Sequence, residues 1–311
     1  MLLASSRRSS IVAGQIFSFD ERRRTRHMSK AAFAWPQGKR IAVVVSVLLE
    51  TWSDDKSPSY FPRTTPLAPG QKDVAGINWS RFGGNEGIWR LARILEDTGT
   101  PATLFCNGRS AELWSQAVAA FARAGHDVAG HGYLQDQTLF SMTPDGERET
   151  IKKTLDVLQN TTGRRPTGWV TPIYGWSENT IDCLVEAKLM WTSDCLDSSM
   201  PHRQKTRAGT IVVIPWSDFV DNRVLRTAPQ IYFDVYRSTF EYLNAYEPGA
   251  LLNIGIHSHF GGRPLMAAIF RKTLDYLKSQ SGVWFAQHHE VARWLIEQKV
   301  EDMSYRSRFF V

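Results

Sequence analysis

RIAVVVSVLLE, residues 40–50, is an unbroken aliphatic run closed by a carboxylate. A strand with one wet face alternates apolar and polar side chains. This one does not, so it reads as a strand buried on both faces, as in parallel α/β sheets. Downstream, helix and strand signals alternate. GIWRLARILEDTG (87–99) reads as a helix stopped by Gly99, and ATLFCNG (102–108) as a strand. AELWSQAVAAFARAG (111–125) is a helix, and HDVAG (126–130) is a strand leading to His131. A capped amphipathic helix covers 143–163, GWVTP (168–172) is a strand, SENTIDCLVEAK (177–188) a helix, and LMWTSD (189–194) and GTIVVIP (209–215) are strands. A helix over 229–246, the strand ALLNIGI (250–256), a helix over 263–280, the strand GVWFAQ (282–287) and a helix over 289–299 complete the series. Between the first strand and the first helix, residues 51–87 read as a loop rich in Pro, Ser and Gly. About eight strands alternating with helices predict one α/β domain over 36–298, an open sheet or a barrel, with a tail over 299–311.

Composition narrows the partners. The 311-residue chain carries a formal net charge of +6, but Arg7, Arg8, Arg22, Arg23, Arg24, Arg26 and Lys30 crowd the first 30 residues. The remainder is near neutral, so no nucleic-acid groove is read from charge. Residues 1–35 read as a disordered basic leader, or as a stretch upstream of a true start at Met28; Asp20 and Glu21 argue against a transit peptide. No run reaches the roughly 18 apolar residues of a membrane helix. Cys106, Cys183 and Cys195 are odd in number and widely spaced, which favours a reducing, cytoplasmic setting. Apolar helix faces are compatible with a homodimer or homotetramer as well as with a barrel interior. No Gly-rich phosphate loop follows the first strand.

The informative residues stand at strand ends: Glu50, His131, Thr171 to Tyr174, Asp194 and His257. In parallel α/β folds these ends form one face, where ligands bind. A carboxylate and imidazoles converging there suit hydrolysis: Glu50 to orient or deprotonate water, His131 and His257 to move protons. Arg263 and a helix start after Gly261 and Gly262 would bind an oxyanion or a substrate carbonyl. Arg263-Pro264 is equally a plain helix start. Glu50, His131 and His257 could also form a two-His, one-carboxylate shell for a divalent metal such as zinc. No second histidine follows His131 at three to five residues, however, so a cofactor-free site is the preferred reading. Trp52, Tyr174 and Trp176 are candidate pocket walls, and Asp194 and His259 candidate substrate contacts. The loops 51–87 and 195–209 are the candidate determinants of specificity.

The order of these segments, with GIWRLARILEDTGTPATLF, AGHDVAGHG, GWVTPIYGWSENT, MWTSDCLDSSMP and HSHFGGRP, resembles the polysaccharide deacetylase superfamily over residues 36–298. It looks most like the branch of cofactor-independent allantoinases and cyclic-imide or amide hydrolases. The resemblance implies a distorted (β/α) barrel of seven or eight strands that hydrolyses carbon–nitrogen amide bonds. It places Glu50 where the deacetylases carry an Asp-Asp pair and His131 at the start of their histidine metal motif. Ser177, Asn179 and Thr180, Asp194, and His257 with Gly262-Arg263-Pro264 match allantoinase-like segments. Gln135 and Asp136 lie near the place of the missing second metal histidine, and Thr171-Pro172 near that of a missing arginine. Of a cluster of acids, only Asp197 remains within DSSMPH. Three readings follow: a hydrolase of a small, cyclic amide, imide or ureide, a metal-dependent N-deacetylase of a sugar or polysaccharide, or an inactive scaffold. A small enclosed pocket would favour the first, an open groove the second, and Glu50 or His257 locked in buried salt bridges the third.

Overall fold

The computed structural model describes residues 34–300 and 304–309; the leader up to residue 33 lies outside them. The strands are β1 (Ile41–Leu49), β2 (Thr103–Cys106), β3 (Asp127–Gly130), β4 (Gly168–Trp169), β5 (Trp191–Thr192), β6 (His202–Lys205), β7 (Thr210–Val213), β8 (Ala250–His257) and β9 (Val283–Ala286). The helices are α1 (Val74–Phe82), α2 (Ile88–Thr98), α3 (Gly108–Leu113), α4 (Ser115–Arg123), α5 (Pro144–Thr162), α6 (Thr180–Glu186), α7 (Gln230–Tyr246), α8 (Pro264–Lys278), α9 (His288–Glu297) and α10 (Tyr305–Phe309). The sheet order is β6-β7-β5-β4-β3-β2-β1-β8, parallel except for the β6–β7 pair. It is a curled, incompletely closed sheet flanked by helices, the distorted barrel that the family resemblance implies.

β1 is its axis, and every residue of it is buried. β8 pairs with β1 along almost its whole length. On the opposite edge, β9 takes Ile41 to Val44 and β2 takes Ser46 to Leu49. The wedge between β2 and β9 is filled by His288, fully buried, which faces Thr103 and Ser46 and stacks on Trp191 at 4.9 Å. Burial pushes its imidazole down to about 3, so it is a neutral core group.

The sheet does not close between its end strands, β6 and β8. The free edge of β8 is satisfied at Gly255, whose carbonyl accepts from the Tyr232 hydroxyl and whose N–H donates to Tyr236 Oη. A single parallel bridge joins Gly255 to Val220. Glycine is required there, because a Cβ would lie 2.3 Å from Val220 Cγ1. That close approach delivers the next residue, Asp221, to the end of β8.

Four features differ from the sequence expectation. The 51–87 loop ends in α1 and a π-helical turn over 83–87; Asp73 caps α1, accepting from the Gly76 N–H at 2.8 Å. The helix over 111–125 is broken at Trp114 (φ −126°, ψ 44°). An edge strand, β6, falls within 195–209, its polar residues alternating in exposure. The tail over 299–311 contains α10, where Arg308 donates to the Pro248 carbonyl. At the other end Trp35 is 1% exposed and donates to the Ala250 carbonyl at 2.9 Å, packing against Trp284 and Trp294. No described helix is long and apolar enough to cross a membrane.

Candidate active site

Strand register sets one level for the site. Leu49 pairs with Cys106, Cys106 with Gly130 and Gly130 with Trp169, while Leu48 pairs with His257. Glu50, Asn107, His131 and Val170 are each one residue beyond those pairs. They meet at the C-terminal end of the sheet with His257, as the strand-end argument requires.

Glu50 is the centre. Its Oε1 accepts from Gln135 Nε2 at 2.8 Å and lies 3.4 Å from His131 Nε2 and 3.6 Å from His257 Nε2. Its Oε2 lies 3.4 Å from the Tyr60 hydroxyl and 3.8 Å from His259 Nδ1. Each imidazole is oriented from behind. His131 Nδ1 is 2.8 Å from the Val170 carbonyl, which only accepts, so Nδ1 carries the proton and Nε2 presents a lone pair when the ring is neutral. His257 Nδ1 is 2.5 Å from Asp221 Oδ1, and Asp221 also accepts from the His257 backbone N–H. His259 Nε2 is 2.9 Å from the Tyr60 hydroxyl. Glu50, His131, His257 and His259 are all no more than 5% exposed. Tyr60, Trp52 and Trp79 roof them, Trp79 and Trp52 standing edge-on to His259 at 5.0 and 5.5 Å.

The charges follow from this packing. Burial opposes the Glu50 charge, but His257, His131 and His259 outweigh it and hold the carboxyl at about 2. Burial also opposes charge on His257, yet Asp221 and Glu50 raise it to about 9. His259 goes the other way: burial, helped by His257 and Arg263, lowers it to about 3 against the pull of Glu50. At neutral pH the site therefore holds a carboxylate, an imidazolium at His257 and a neutral His259. Tyr60, its hydroxyl buried beside Glu50 and Asp221, is held well above the usual phenol range.

The remaining nominated residues lie further out. Asp194 accepts from Thr171 N–H at 2.7 Å and from its hydroxyl at 2.6 Å, fixing the segment after β4; burial raises its carboxyl to about 6. Tyr174 and Trp176 meet edge-on at 6.2 Å on that segment, Tyr174 44% exposed. The Arg263 guanidinium is spent on backbone carbonyls, Nε on His259 at 3.0 Å and Nη2 on Trp79 at 3.1 Å, and lies over the Phe82 ring at 4.3 Å. Of the two glycines before it, Gly262 packs on Gly87: a Cβ on Gly262 would come 2.4 Å from Gly87 Cα, and one on Gly87 1.9 Å from the Ser258 carbonyl. The Gly-Gly-Arg-Pro turn thus clamps the His257–His259 segment to the π-helical turn between α1 and α2. Sequence reasoning gave no role to Tyr60, Trp79 or Asp221. Gln135, noted only as the occupant of a histidine's place, is the closest hydrogen-bond partner of Glu50.

Among the described residues no three His, Cys, Asp or Glu side chains are arranged to hold a metal ion. At Glu50, Oε1 accepts the Gln135 N–H and Oε2 faces the Tyr60 hydroxyl, which leaves a lone pair of Oε1 toward His131 and His257. Glu50, His131 and His257 are the side chains that would hold a divalent metal, and no step is routed through one.

Residues 73–190 match the profile of the polysaccharide deacetylase family. The chain is 22% identical to the peptidoglycan deacetylase of Helicobacter pylori over 268 residues, 72% of this chain and 88% of that protein. Its fold superposes on a probable polysaccharide deacetylase from Pseudomonas aeruginosa PAO1 with a TM-score of 0.78 and 25% identity, covering 86% of this chain and 95% of that one. The Puue allantoinase structure is similar at a TM-score of 0.77 and 25% identity, covering 84% and 92% of the two chains. With a curled barrel, strand-end carboxylate and histidines, and these likenesses, the chain belongs to the polysaccharide deacetylase superfamily.

Proposed function

We propose that the chain is a hydrolase of the carbon–nitrogen bond in a small amide, imide or ureide, most often a cyclic one, and that it works with its own side chains as acid and base. The observation that carries this reading is the enclosure of Glu50, His131, His257 and His259, each nearly or wholly buried under an aromatic roof. A polymer needs an open groove; an enclosed centre suits a compact substrate. Glu50, an anion at any working pH, orients the attacking water through its hydrogen bond. The His131 Nε2 lone pair takes the water proton as hydroxide adds to the carbonyl carbon. His257, an imidazolium held by Asp221, delivers a proton to the leaving nitrogen as the C–N bond breaks and the carbonyl re-forms. Three free, buried cysteines support the reducing, cytoplasmic setting that belongs to this reading. Homodimer or homotetramer assembly remains part of the same proposal.

Two observations favour other readings. The Helicobacter pylori relative is a peptidoglycan deacetylase, which favours N-deacetylation of a sugar polymer. The buried ion pairs that tie Glu50 and His257 are those expected of an inactive scaffold. One experiment separates all three. The purified full chain is assayed on succinimide, hydantoin, allantoin and N-acetylglucosamine oligomers, with and without chelator, beside Glu50→Gln and an elemental analysis for zinc. Turnover of a cyclic substrate that resists chelation and falls about 10²-fold or more in Glu50→Gln supports the proposal. Chelator-sensitive release of acetate with stoichiometric zinc supports deacetylation, and no turnover supports the scaffold.

A further inference from the structure

The proposed reaction develops negative charge on the carbonyl oxygen, and a buried site must meet it with a donor. The sequence nominates Arg263, but that guanidinium is committed to the His259 and Trp79 carbonyls. Gln135 is committed to Glu50. Resting on the proposed reading, we infer that Tyr60 is the oxyanion donor of this site and that His259 holds it in place.

Tyr60 belongs to the irregular segment after β1, pinned at both ends. Ser53 N–H donates to Asp136 at 2.9 Å, while Ser57 and Arg63 both bind Asp73, the cap of α1. This clasp turns the Tyr60 hydroxyl inward, where it lies 2.9 Å from His259 Nε2 and donates toward Glu50 Oε2 at 3.4 Å. The ring stacks on His259 at 5.9 Å. A rotation about the phenol C–O bond turns the hydroxyl proton to a carbonyl oxygen placed beside Glu50, with no movement of the ring. His259 Nδ1 is buried without a hydrogen-bond partner, 3.8 Å from Glu50, on a side chain with no exposure. A wholly buried nitrogen with no partner beside the reacting carboxylate is a polar group of the kind found at functional sites. Burial, reinforced by the Glu50 and Asp221 carboxylates, keeps the Tyr60 phenol protonated, so it remains a donor across the working pH range.

In the step, the water oxygen bonds to the carbonyl carbon, the C=O π pair moves onto oxygen, and the water proton passes to His131 Nε2. The Tyr60 O–H hydrogen-bonds to that oxygen and keeps its proton. Collapse restores C=O, and the leaving nitrogen takes the His257 proton.

The test is Tyr60→Phe in the full chain, on succinimide and its dithio analogue or on whichever imide of the panel the wild type hydrolyses. The ring is retained, and an unchanged melting temperature verifies the fold. We expect kcat to fall about 10²-fold with KM within about threefold, and the loss to shrink on the thio substrate, whose sulfur accepts a weaker hydrogen bond. Tyr60→Gln, which restores an N–H donor, should recover part of the rate. An active wild type with Tyr60→Phe within about threefold, or faster, overturns the assignment and makes Tyr60 only a cover. So does an equal loss on oxo and thio substrates. A wild type that hydrolyses no imide or ureide overturns the proposed function and, with it, this inference.

Discussion

Asp221→Asn isolates the electrostatics of the site, because asparagine keeps the shape of the side chain and removes only its charge. His257 stands at about 9 against an ordinary 6.5. At 1.36 kcal/mol per tenfold change in proton affinity, that is about 3 kcal/mol of preference for imidazolium. Burial works against that preference, and Asp221, 2.5 Å from Nδ1, is the largest influence sustaining it, with Glu50 second. Without Asp221 the ring should titrate at or below about 6.5. At about pH 8 the imidazolium population then drops from roughly nine-tenths to about 3%, so a reaction that needs it slows about 30-fold; at about pH 6 the loss is under about twofold. Stability moves with the same sign. The folded affinity for the proton is raised, so its stabilisation is fully present below the unfolded value near 6.5 and disappears as pH rises through about 9. The variant should therefore be up to about 3 kcal/mol less stable at about pH 6 and approach the wild type at about pH 10. Histidine-labelled NMR of the full chain reads the ring directly, and urea denaturation at the two pH values reads the stability. An imidazolium that persists above about pH 8 in Asp221→Asn, or a rate loss equal at both pH values, refutes the argument.

Two further substitutions test readings away from the reaction. Ile173 is held at φ 47° and ψ 31°, a left-handed conformation hostile to a β-branched residue, and its side chain is 55% exposed. Ile173→Gly should relieve about 1–2 kcal/mol of strain, less about 0.5–1 for glycine's freer unfolded chain, for a net gain of about 0.5–1 kcal/mol in denaturant titration; a comparable loss would mean that the isoleucine is docked. Arg263→Ala should cost about 1–3 kcal/mol of stability through its two carbonyl bonds and its stacking on Phe82, while kcat of the folded fraction stays within about fivefold. A large kcat loss at full stability would return Arg263 to the chemistry.

The fold was legible where periodicity is strong. β1 and β8 announce themselves by uninterrupted apolar runs because they are buried on both faces, and α2 and α5 by caps and glycine stops. β4 and β5 are two residues each, too short for any pattern, yet their positions follow from the alternation around them. α1 was hidden by composition: it starts inside a Pro/Gly-rich stretch and owes its definition to the Asp73 cap.

The site divides along the same physical line. Glu50, His131 and His257 were legible because a parallel strand fixes where its last residue goes, and the register carries that placement across the sheet. Asp221 and Tyr60 were not, because each is positioned by a long-range contact that has no local signature. Asp221 reaches His257 only since Gly255 lets Val220 bridge to β8, and Tyr60 reaches His259 only since Asp73 and Asp136 clasp its loop. Asp221 is the one of the two that decides a protonation state. The carboxylate and histidines alone leave open whether His257 is charged; Asp221 makes it an imidazolium. His259, similar in sequence context and two residues away, is driven neutral by its burial, with His257 and Arg263 adding to it. Two histidines on one strand end thus acquire opposite charge states from their surroundings, and it is that difference which separates a proton donor from a positioning group.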